Sequence, residues 1–469
     1  MPNIQAFRGV RYDLGRVGGL SAVVAPPYDV IDAGLQQRLL DRHPHNIVRL
    51  ILGADSPADT EQDNRYTRAA RLLRQWRRDG VLFTEGDPAV YACHQTFCID
   101  GVEHTRRGVL CRVQLERWAE PGDGAEPNTA GIYPHEETHG RAKADRLKLW
   151  RACRANLSPI FGLYPDDDNG AQSLLESAIA GVTPLEATEA GPEDGVGAGS
   201  DATTTRLWPV TDVQVINRLQ AALGAKPLYI ADGHHRYETA CDYRDELARQ
   251  QGGPLPAGHA AASVLAMCVS MSDPGMVVQP THRLLRGAPE MTAEGLIEKL
   301  GGCFSCESAG TGPERAQDVW ELVAAEGDQR MIGLYTAADQ RWTLCRLQAE
   351  GEQRMARLAP ERSAEWRGLG VSLLHRLVAD DLLGVPPGVA PKYVRSIPEV
   401  VAGLIQGDGA GRDLTGQQAT GGRFNLAAIV MPATLDHIRR LAALGERMPA
   451  KSTYFYPKVP SGLVINPLE

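Results

Sequence analysis

The chain is 469 residues long, 43% hydrophobic and 23% charged, an ordinary composition for a soluble globular protein with room for two or three domains. Its formal charge of −9 argues against broad, unselective nucleic-acid binding. No apolar stretch approaches the ~20 residues needed to span a bilayer, the first residues lack an export pattern, and the nine cysteines lie mostly in apolar runs, so a reducing cytoplasm is the expected setting.

In chain order, Ala22 to Ile31 predicts a short strand ending at Pro26-Pro27, with Tyr28 and Asp29 held at its end. Asn46 to Leu52 reads as a second apolar strand. Residues 59–79 predict a helix with a Tyr66, Ala69, Ala70, Leu73, Trp76 stripe, closed by Gly80. Val90 to Ile99 and Thr105 to Leu115 flank Gly101 as a hairpin. Lys143 to Leu157 predicts an amphipathic helix. Residues 165–204 are acidic and Gly/Ala-rich, with a short helix expected near 171–180 and a flexible loop after it.

Leu228 to Ala231 is long enough for a buried strand, and Asp232-Gly233 breaks it. Tyr237, Ala240, Cys241, Arg244 and Leu247 then follow at helical spacing. Ala262 to Ser270 and Val277 to Arg283 read as strands. The character changes near 290. Ala293 to Leu300 is helical, Met331 to Tyr335 and Trp342 to Leu347 pair antiparallel, Ser372 to Leu383 is a helix, Phe424 to Met431 a strand and Thr434 to Leu444 a helix, with a Gly-rich loop at 407–422. This mixed order predicts an α/β (mixed α+β) protein. The expected domains are 1–288, a smaller α+β domain at 289–445, and an extended tail at 446–469 that packs back on the core.

The most informative stretch is Asp232-Gly233-His234-His235-Arg236-Tyr237. Two histidines and an arginine stand where a strand becomes a helix N-terminus, whose free N–H groups and dipole favour an anion. Gly233 permits close approach, and Arg236 offers a planar fork for phosphate oxygens. The alternative is a turn carrying two surface histidines. His135-Glu136-Glu137-Thr138-His139 matches H-E-x-x-H, but Pro134 before it and Gly140 after it oppose the helix that a zinc site on His135 and His139 requires. In the same stretch Glu136 could accept a hydroxyl proton, while His135, Lys143 and Arg146 could stabilise charge on transferring oxygens; a solvated loop is the plainer reading. Asp29 and Asp232 end apolar runs and suit a base, a Mg²⁺ ligand or a cap, capping being the safer reading for Asp29. His282 and Arg283 follow another strand. Lys451, Ser452 and Thr453 in the aromatic, basic tail could meet an anion. Cys303-Phe304-Ser305-Cys306 is a lone C-x-x-C without redox context.

Several of these stretches resemble a bacterial family known as domain of unknown function 1015: Ala25-Pro26-Pro27-Tyr28-Asp29-Val30-Ile31, Pro134-His135-Glu136 with Thr138, Lys143-Ala144-Asp145-Arg146-Leu147, Asn156 to Tyr164, Ile230 to Ala240, Pro280 to Arg283, and Lys451 to Pro467. The match runs nearly end to end. The box from Asp232 to Ala240 is similar to that of the ParB/sulfiredoxin superfamily, which includes CTP-dependent DNA-segregation proteins and nucleotide-dependent serine kinases. The resemblance implies a ParB/sulfiredoxin-like nucleotide-binding core in 1–288. It also implies a nucleotide (ADP or ATP, possibly CTP) with Mg²⁺, and a link to serine biosynthesis.

Together these imply a phosphotransferase or phosphatase for a small hydroxyl substrate, serine or phosphoserine leading. Gly233, His234, His235 and Arg236, with His135, Thr138, Arg146, His282 and Arg283, would hold phosphate. Asp232, Glu136, His234 and Lys143 would carry catalysis, and Asp29 would ligate Mg²⁺. The partner is a small molecule, with no membrane and no nucleic acid expected. Two alternatives are a non-catalytic ParB-like nucleotide switch or DNA-associated module, and a zinc hydrolase on His135 and His139.

Overall fold

Val264 to Val269 is an unbroken apolar run, and each of its side chains is fully buried, as expected of a strand covered on both faces. In the computed structural model, which describes residues 3–99, 101–118, 131–136, 140–189, 202–386, 388–407 and 422–469, the strand that carries it, Ser263–Ser270, lies inside a nine-stranded mixed sheet. The order is Ile132–Pro134, Leu228–Asp232, Ile160–Tyr164, Ser263–Ser270, Val102–Gln114, Val90–Ile99, Thr203–Val210, Leu185–Glu189, with Ile4–Gln5 also on Val102–Gln114. Leu228–Asp232 runs parallel to Ile132–Pro134, and Ser263–Ser270 parallel to Ile160–Tyr164; the other pairs are antiparallel. Gly108 faces Val269 across the ladder, where an added Cβ would stand 2.6 Å from the Cys268 carbonyl oxygen.

This sheet and its helices make up the first of two units: Met1–Pro134, Thr138–Met276 and Pro457–Glu469. Helix Arg65–Arg78 starts from an Asn64 capping box and buries Ala69, Ala70, Leu73 and Trp76, the stripe read from the sequence. It packs on helix Gly140–Cys153, which packs in turn on helix His234–Gln250. The tail segment 457–469 returns to this unit. Ser461 bridges Ala25, Ile465 bridges Val10, and Asn466 pairs with Asn156.

Two expected strands are helical turns instead. Leu20–Val23 and Val48–Ile51 each form one turn of helix. Asn46, fully buried, is the cause at the second: its Oδ1 accepts from Val48 N at 2.9 Å while Nδ2 donates to the Ala22 and Val24 carbonyls. A short apolar run does not distinguish strand from helix, and a local side-chain cap decides it.

The second unit comprises His135–Glu137 and Val277–Tyr456. Its antiparallel sheet runs Phe304–Thr311, Arg341–Leu347, Met331–Thr336, Leu426–Val430, His282–Leu285, Lys392–Val394. The core beneath it holds Trp342, Val319, Val323, Phe424 and Ile429. Val277–Gln279 pairs with Tyr454–Tyr456, so this unit takes up a stretch that the sequence assigns to the first domain. Leu373–Leu382, expected as an ordinary helix, is a π-helix that ends with Leu383 N on the Val378 carbonyl, five residues back. The architecture is mixed α/β throughout. Among the described residues no helix is long and apolar enough to cross a membrane.

Candidate functional site

The D-G-H-H-R box is positioned by an irregularity in its own strand. Leu228–Asp232 pairs with Ile160–Tyr164 in register at Tyr229 and Ile230, then shifts by one before Asp232. Such a bulge re-aims the side chain that follows it. Gly233 turns the chain with φ +84°, ψ 30°, a left-handed conformation that favours glycine. Helix His234–Gln250 begins there without a side-chain cap, and its first backbone acceptor bond is Tyr237 N to the Gly233 carbonyl at 2.9 Å. The leading N–H groups of this 17-residue helix therefore have no acceptor within the helix.

Asp232 does not cap the helix. Its Oδ2 pairs with Arg236 Nη2 at 2.5 Å and its Oδ1 with Lys458 Nζ. The fork of Arg236 is turned into the protein rather than outward: Nη2 meets Asp232, Nη1 donates to the Pro159 carbonyl, and the side chain is only 5% exposed. The guanidinium lies against the Gly233 turn, where a Cβ would stand 3.0 Å from Nε. Nε itself is shielded and, among the described residues, has no hydrogen-bond partner. His234 is buried and His235 half-buried.

Two further sequence motifs converge here. Pro26-Pro27 leads into a single 3₁₀ turn, Tyr28–Val30. The Arg146 guanidinium stacks on the Tyr28 ring, 3.9 Å from its centroid. Burial, then the charge of Asp29, push the Tyr28 phenol up to about 12, while Arg146 and Arg236 pull the other way. Tyr28 thus stands within electrostatic reach of the Pro-Pro-Tyr-Asp turn, the Lys143–Arg146 segment and the Asp232–Arg236 box. Asp29 Oδ1 is shielded from solvent and, among the described residues, has no hydrogen-bond partner.

Arg146 is further held by Asp145 and by the Ile51 carbonyl at 2.8 Å. Asp145 also accepts from the Tyr66 hydroxyl at 2.6 Å and from Arg65. Burial would raise the Asp145 carboxyl, but Arg146, the Tyr66 hydroxyl and Arg65 outweigh it and hold it below the usual range. Lys143 pairs with Glu238 on the neighbouring helix at 2.9 Å.

The remaining sequence-level candidates belong to the second unit. Glu136 Oε2 accepts from Lys451 N at 3.2 Å, and Oε1 accepts from Thr453 N at 3.2 Å and Thr453 Oγ1 at 3.0 Å. An anion does meet Lys451-Ser452-Thr453, as expected for that stretch, and it is the Glu136 carboxylate. His135 is buried, with Nε2 2.9 Å from Thr453 Oγ1. It leaves a strand, Ile132–Pro134, and the next helix starts only at Gly140, so the first histidine of H-E-x-x-H is not on a helix. Thr138 and His139 lie outside the described residues. Among the described residues no group of three or more His, Cys, Asp or Glu is arranged to hold a metal ion.

His282 is 1% exposed and its Nδ1 accepts from Val430 N at 3.4 Å. Arg283 is fully buried, donating from Nη2 to the Lys451 carbonyl at 2.8 Å and from Nε to His375 Nε2 at 3.3 Å. Glu136 and Arg283 thus hold Lys451 from its N–H and its carbonyl respectively. The C-x-x-C does not pair with itself. Cys306 faces Cys345 across the sheet with sulfurs 3.7 Å apart, and none of the nine cysteines forms a disulfide.

Lys458 is the site residue that the sequence reading missed. It lies in the tail that reading singled out, but the anion contact was expected at 451–453. Asp145, given no role in the sequence reading, is the centre of the Arg65–Arg146 network.

Residues 4–372 match the family described as "Protein of unknown function (DUF1015)". The chain belongs to this family. Among curated proteins none matches it. Solved structures with a distant likeness include a conserved hypothetical protein from Pyrococcus furiosus, 11% identical, over 71% of this chain and 90% of that one, at a TM-score of 0.30. A free serine kinase in complex with AMP is 10% identical over 69% of this chain and 83% of its own, also at 0.30. SbnI with C-terminal truncation from Staphylococcus aureus is 10% identical over 72% and 84%, at 0.31. At TM-scores near 0.3 these likenesses bear on neither substrate nor mechanism.

Proposed function

We propose that the Gly233 turn holds the phosphoryl group of a small phosphoester or nucleotide, and that the protein transfers that group to or from a small hydroxyl compound. The observation that carries this reading is the start of helix His234–Gln250: a left-handed glycine, no side-chain cap, and a buried arginine folded against the same turn. The dipole of this helix and a fixed positive charge at its start would stabilise negative oxygens in both ground and transition states. Asp232, with both oxygens in ion pairs, is a positioning residue for Arg236 and Lys458 rather than the base. His234, the first imidazole of the box, is assigned the role of taking the hydroxyl proton. In transfer, the hydroxyl oxygen bonds to phosphorus, the bond from phosphorus to the leaving oxygen breaks, and the hydroxyl proton passes to His234. Where the phosphoryl donor is a nucleotide, Mg²⁺ would come as part of that substrate and neutralise charge on its phosphates. Serine and phosphoserine are the first substrates to test, on the strength of the D-G-H-H-R resemblance.

The test is incubation with Mg²⁺, serine and ATP or ADP, and in parallel with phosphoserine, followed by ³¹P NMR. Phosphoryl transfer or release is expected, with a loss of at least about a hundredfold in folded His234→Asn and Arg236→Lys variants. Absence of turnover together with absence of pyrophosphate binding, or full activity in both variants, overturns the reading.

A further inference from the structure

Cys306 and Cys345 stand directly opposite each other in the second unit, on strands Phe304–Thr311 and Arg341–Leu347, with their sulfurs 3.7 Å apart. Residues paired across an antiparallel ladder have Cα atoms about 4.5–5.5 Å apart, inside the range of about 4.4–6.8 Å that a disulfide spans. Closing the sulfurs to bonding distance therefore needs side-chain rotation and no change of register. The two thiols differ in access. Phe304–Thr311 is an edge strand of its sheet. Cys306 is half-buried there, between exposed Ser305 and Glu307, whereas Cys345 is fully buried. A small oxidant thus meets Cys306 first, with a second thiol already against it. A hydrogen bond from the Cys345 thiol holds the Cys306 thiol below its ordinary value, against the effect of burial; the same bond and burial push Cys345 up. Cys306 is accordingly the one that ionises, and the thiolate is the nucleophile. The other cysteines lack this arrangement. Cys98, also half-buried, faces Glu103 across its ladder, and the remaining six are buried.

We propose that Cys306 and Cys345 form a reversible oxidation site, at which a peroxide joins them in a disulfide that fastens the edge strand Phe304–Thr311 to Arg341–Leu347. The Cys306 thiolate attacks one peroxide oxygen and the O–O bond breaks. Cys306 becomes a sulfenic acid, and the departing hydroxide takes up the proton that the thiol had lost. The Cys345 sulfur then attacks the Cys306 sulfur. The S–O bond breaks, and its oxygen leaves as water with the Cys345 proton. Two sulfurs give up two electrons, and one peroxide is reduced to two waters. A thiol reductant reverses the bond by exchange. In a reducing compartment such a pair stays open until an oxidant arrives. The site owes nothing to the Gly233 turn, which belongs to the other unit.

The experiment treats the reduced full-length protein with hydrogen peroxide, blocks unreacted thiols with iodoacetamide and maps a non-reduced digest by mass spectrometry. A peptide pair linked through Cys306 and Cys345 is expected, and dithiothreitol should abolish it. In the oxidised protein, amide exchange within 304–311 should slow by about tenfold or more, because the strand can no longer part from its neighbour. In Cys345→Ala the reaction should halt at the Cys306 sulfenic acid, which dimedone traps. In Cys306→Ser, Cys345 should stay reduced. The wild-type map and Cys306→Ser, a change at the half-buried thiol, decide the matter even if Cys345→Ala disturbs the core. The proposal is overturned if both thiols stay reduced under peroxide that oxidises glutathione in the same tube, or if the disulfide joins Cys306 to any other cysteine. Oxidation of Cys345 in Cys306→Ser, or unchanged exchange within 304–311 after linkage, overturns it as well.

Discussion

The second unit is expected to lose stability in acid, because two of its imidazoles must stay neutral. His282 Nδ1 accepts from Val430 N–H, and His375 Nε2 accepts from Arg283 Nε–H. Protonation would turn each acceptor into a donor that faces a donor. Burial, then the charge of Arg283, push His282 from 6.5 down to about 3, and the same causes push His375 to about 4. The folded values lie below the unfolded one. The unfolded chain therefore takes up protons that the folded chain refuses, and stability is retained above pH 6.5 and lost as pH falls toward 3. At pH 5, 1.5 pH units below the free imidazole value, His282 alone accounts for about 2 kcal/mol of that loss. His282→Gln keeps an acceptor but cannot titrate. Urea unfolding at pH 7.5, 6 and 5 is expected to show the wild type losing about 2 kcal/mol more than the variant over this range, where most carboxylates stay ionised. Faster amide exchange at Val430 in the wild type at pH 5 would localise the effect. Wild-type and variant stabilities that run parallel from pH 7.5 to 5 would refute the argument.

Gly233→Ala forces a side chain into φ +84° and within 3.0 Å of the Arg236 guanidinium; a loss of about 1–2 kcal/mol in urea unfolding, together with weaker pyrophosphate binding, is expected. Lys451 is a non-glycine residue at φ +62°, so Lys451→Gly should raise the urea midpoint, with a net gain of up to about 1 kcal/mol, and an unchanged or lower midpoint counts against strain at this turn. Truncation after Tyr456 removes Val459, Leu463, Val464, Ile465 and Leu468, all buried. At about 1.5–3 kcal/mol each, this rivals the whole stability of a typical domain, so the truncated chain should show no cooperative unfolding. A truncated protein that melts like the full chain would show the tail to be dispensable.

Local pattern made much of the fold legible. The Ala69–Trp76 stripe, the hairpin around Gly101 and the apolar run at 264–269 each signal their element within a dozen residues. Tertiary partners decide what local pattern leaves open. Whether Val48–Ile51 is strand or helix is settled by the buried Asn46 side chain bonding to Val48 N on one side and to the Ala22 and Val24 carbonyls on the other. The role of Glu136 is settled by Thr453, 317 residues later in the chain. Lys458 reaches Asp232 across 226 residues. No window of sequence contains both ends of such a contact.

Arg236 is different, because part of its fate was written locally. An arginine beside a glycine turn reads as a phosphate fork when taken alone. Asp232 stands four residues before it, at the end of the strand, and the two side chains meet across the Gly233 turn. The strand bulge brings the carboxylate round to that position, and the pair forms with the side chain buried. The same spacing that made the box look like an anion site therefore specifies the counter-ion that turns its arginine inward. In the proposed reading, the buried guanidinium acts on a ligand through its positive field and its Nε, together with the helix dipole. A conservative Arg236→Lys change should thus cost more than the loss of one surface contact. A lysine cannot meet Asp232 and the Pro159 carbonyl with a planar fork while leaving a donor toward the Gly233 turn.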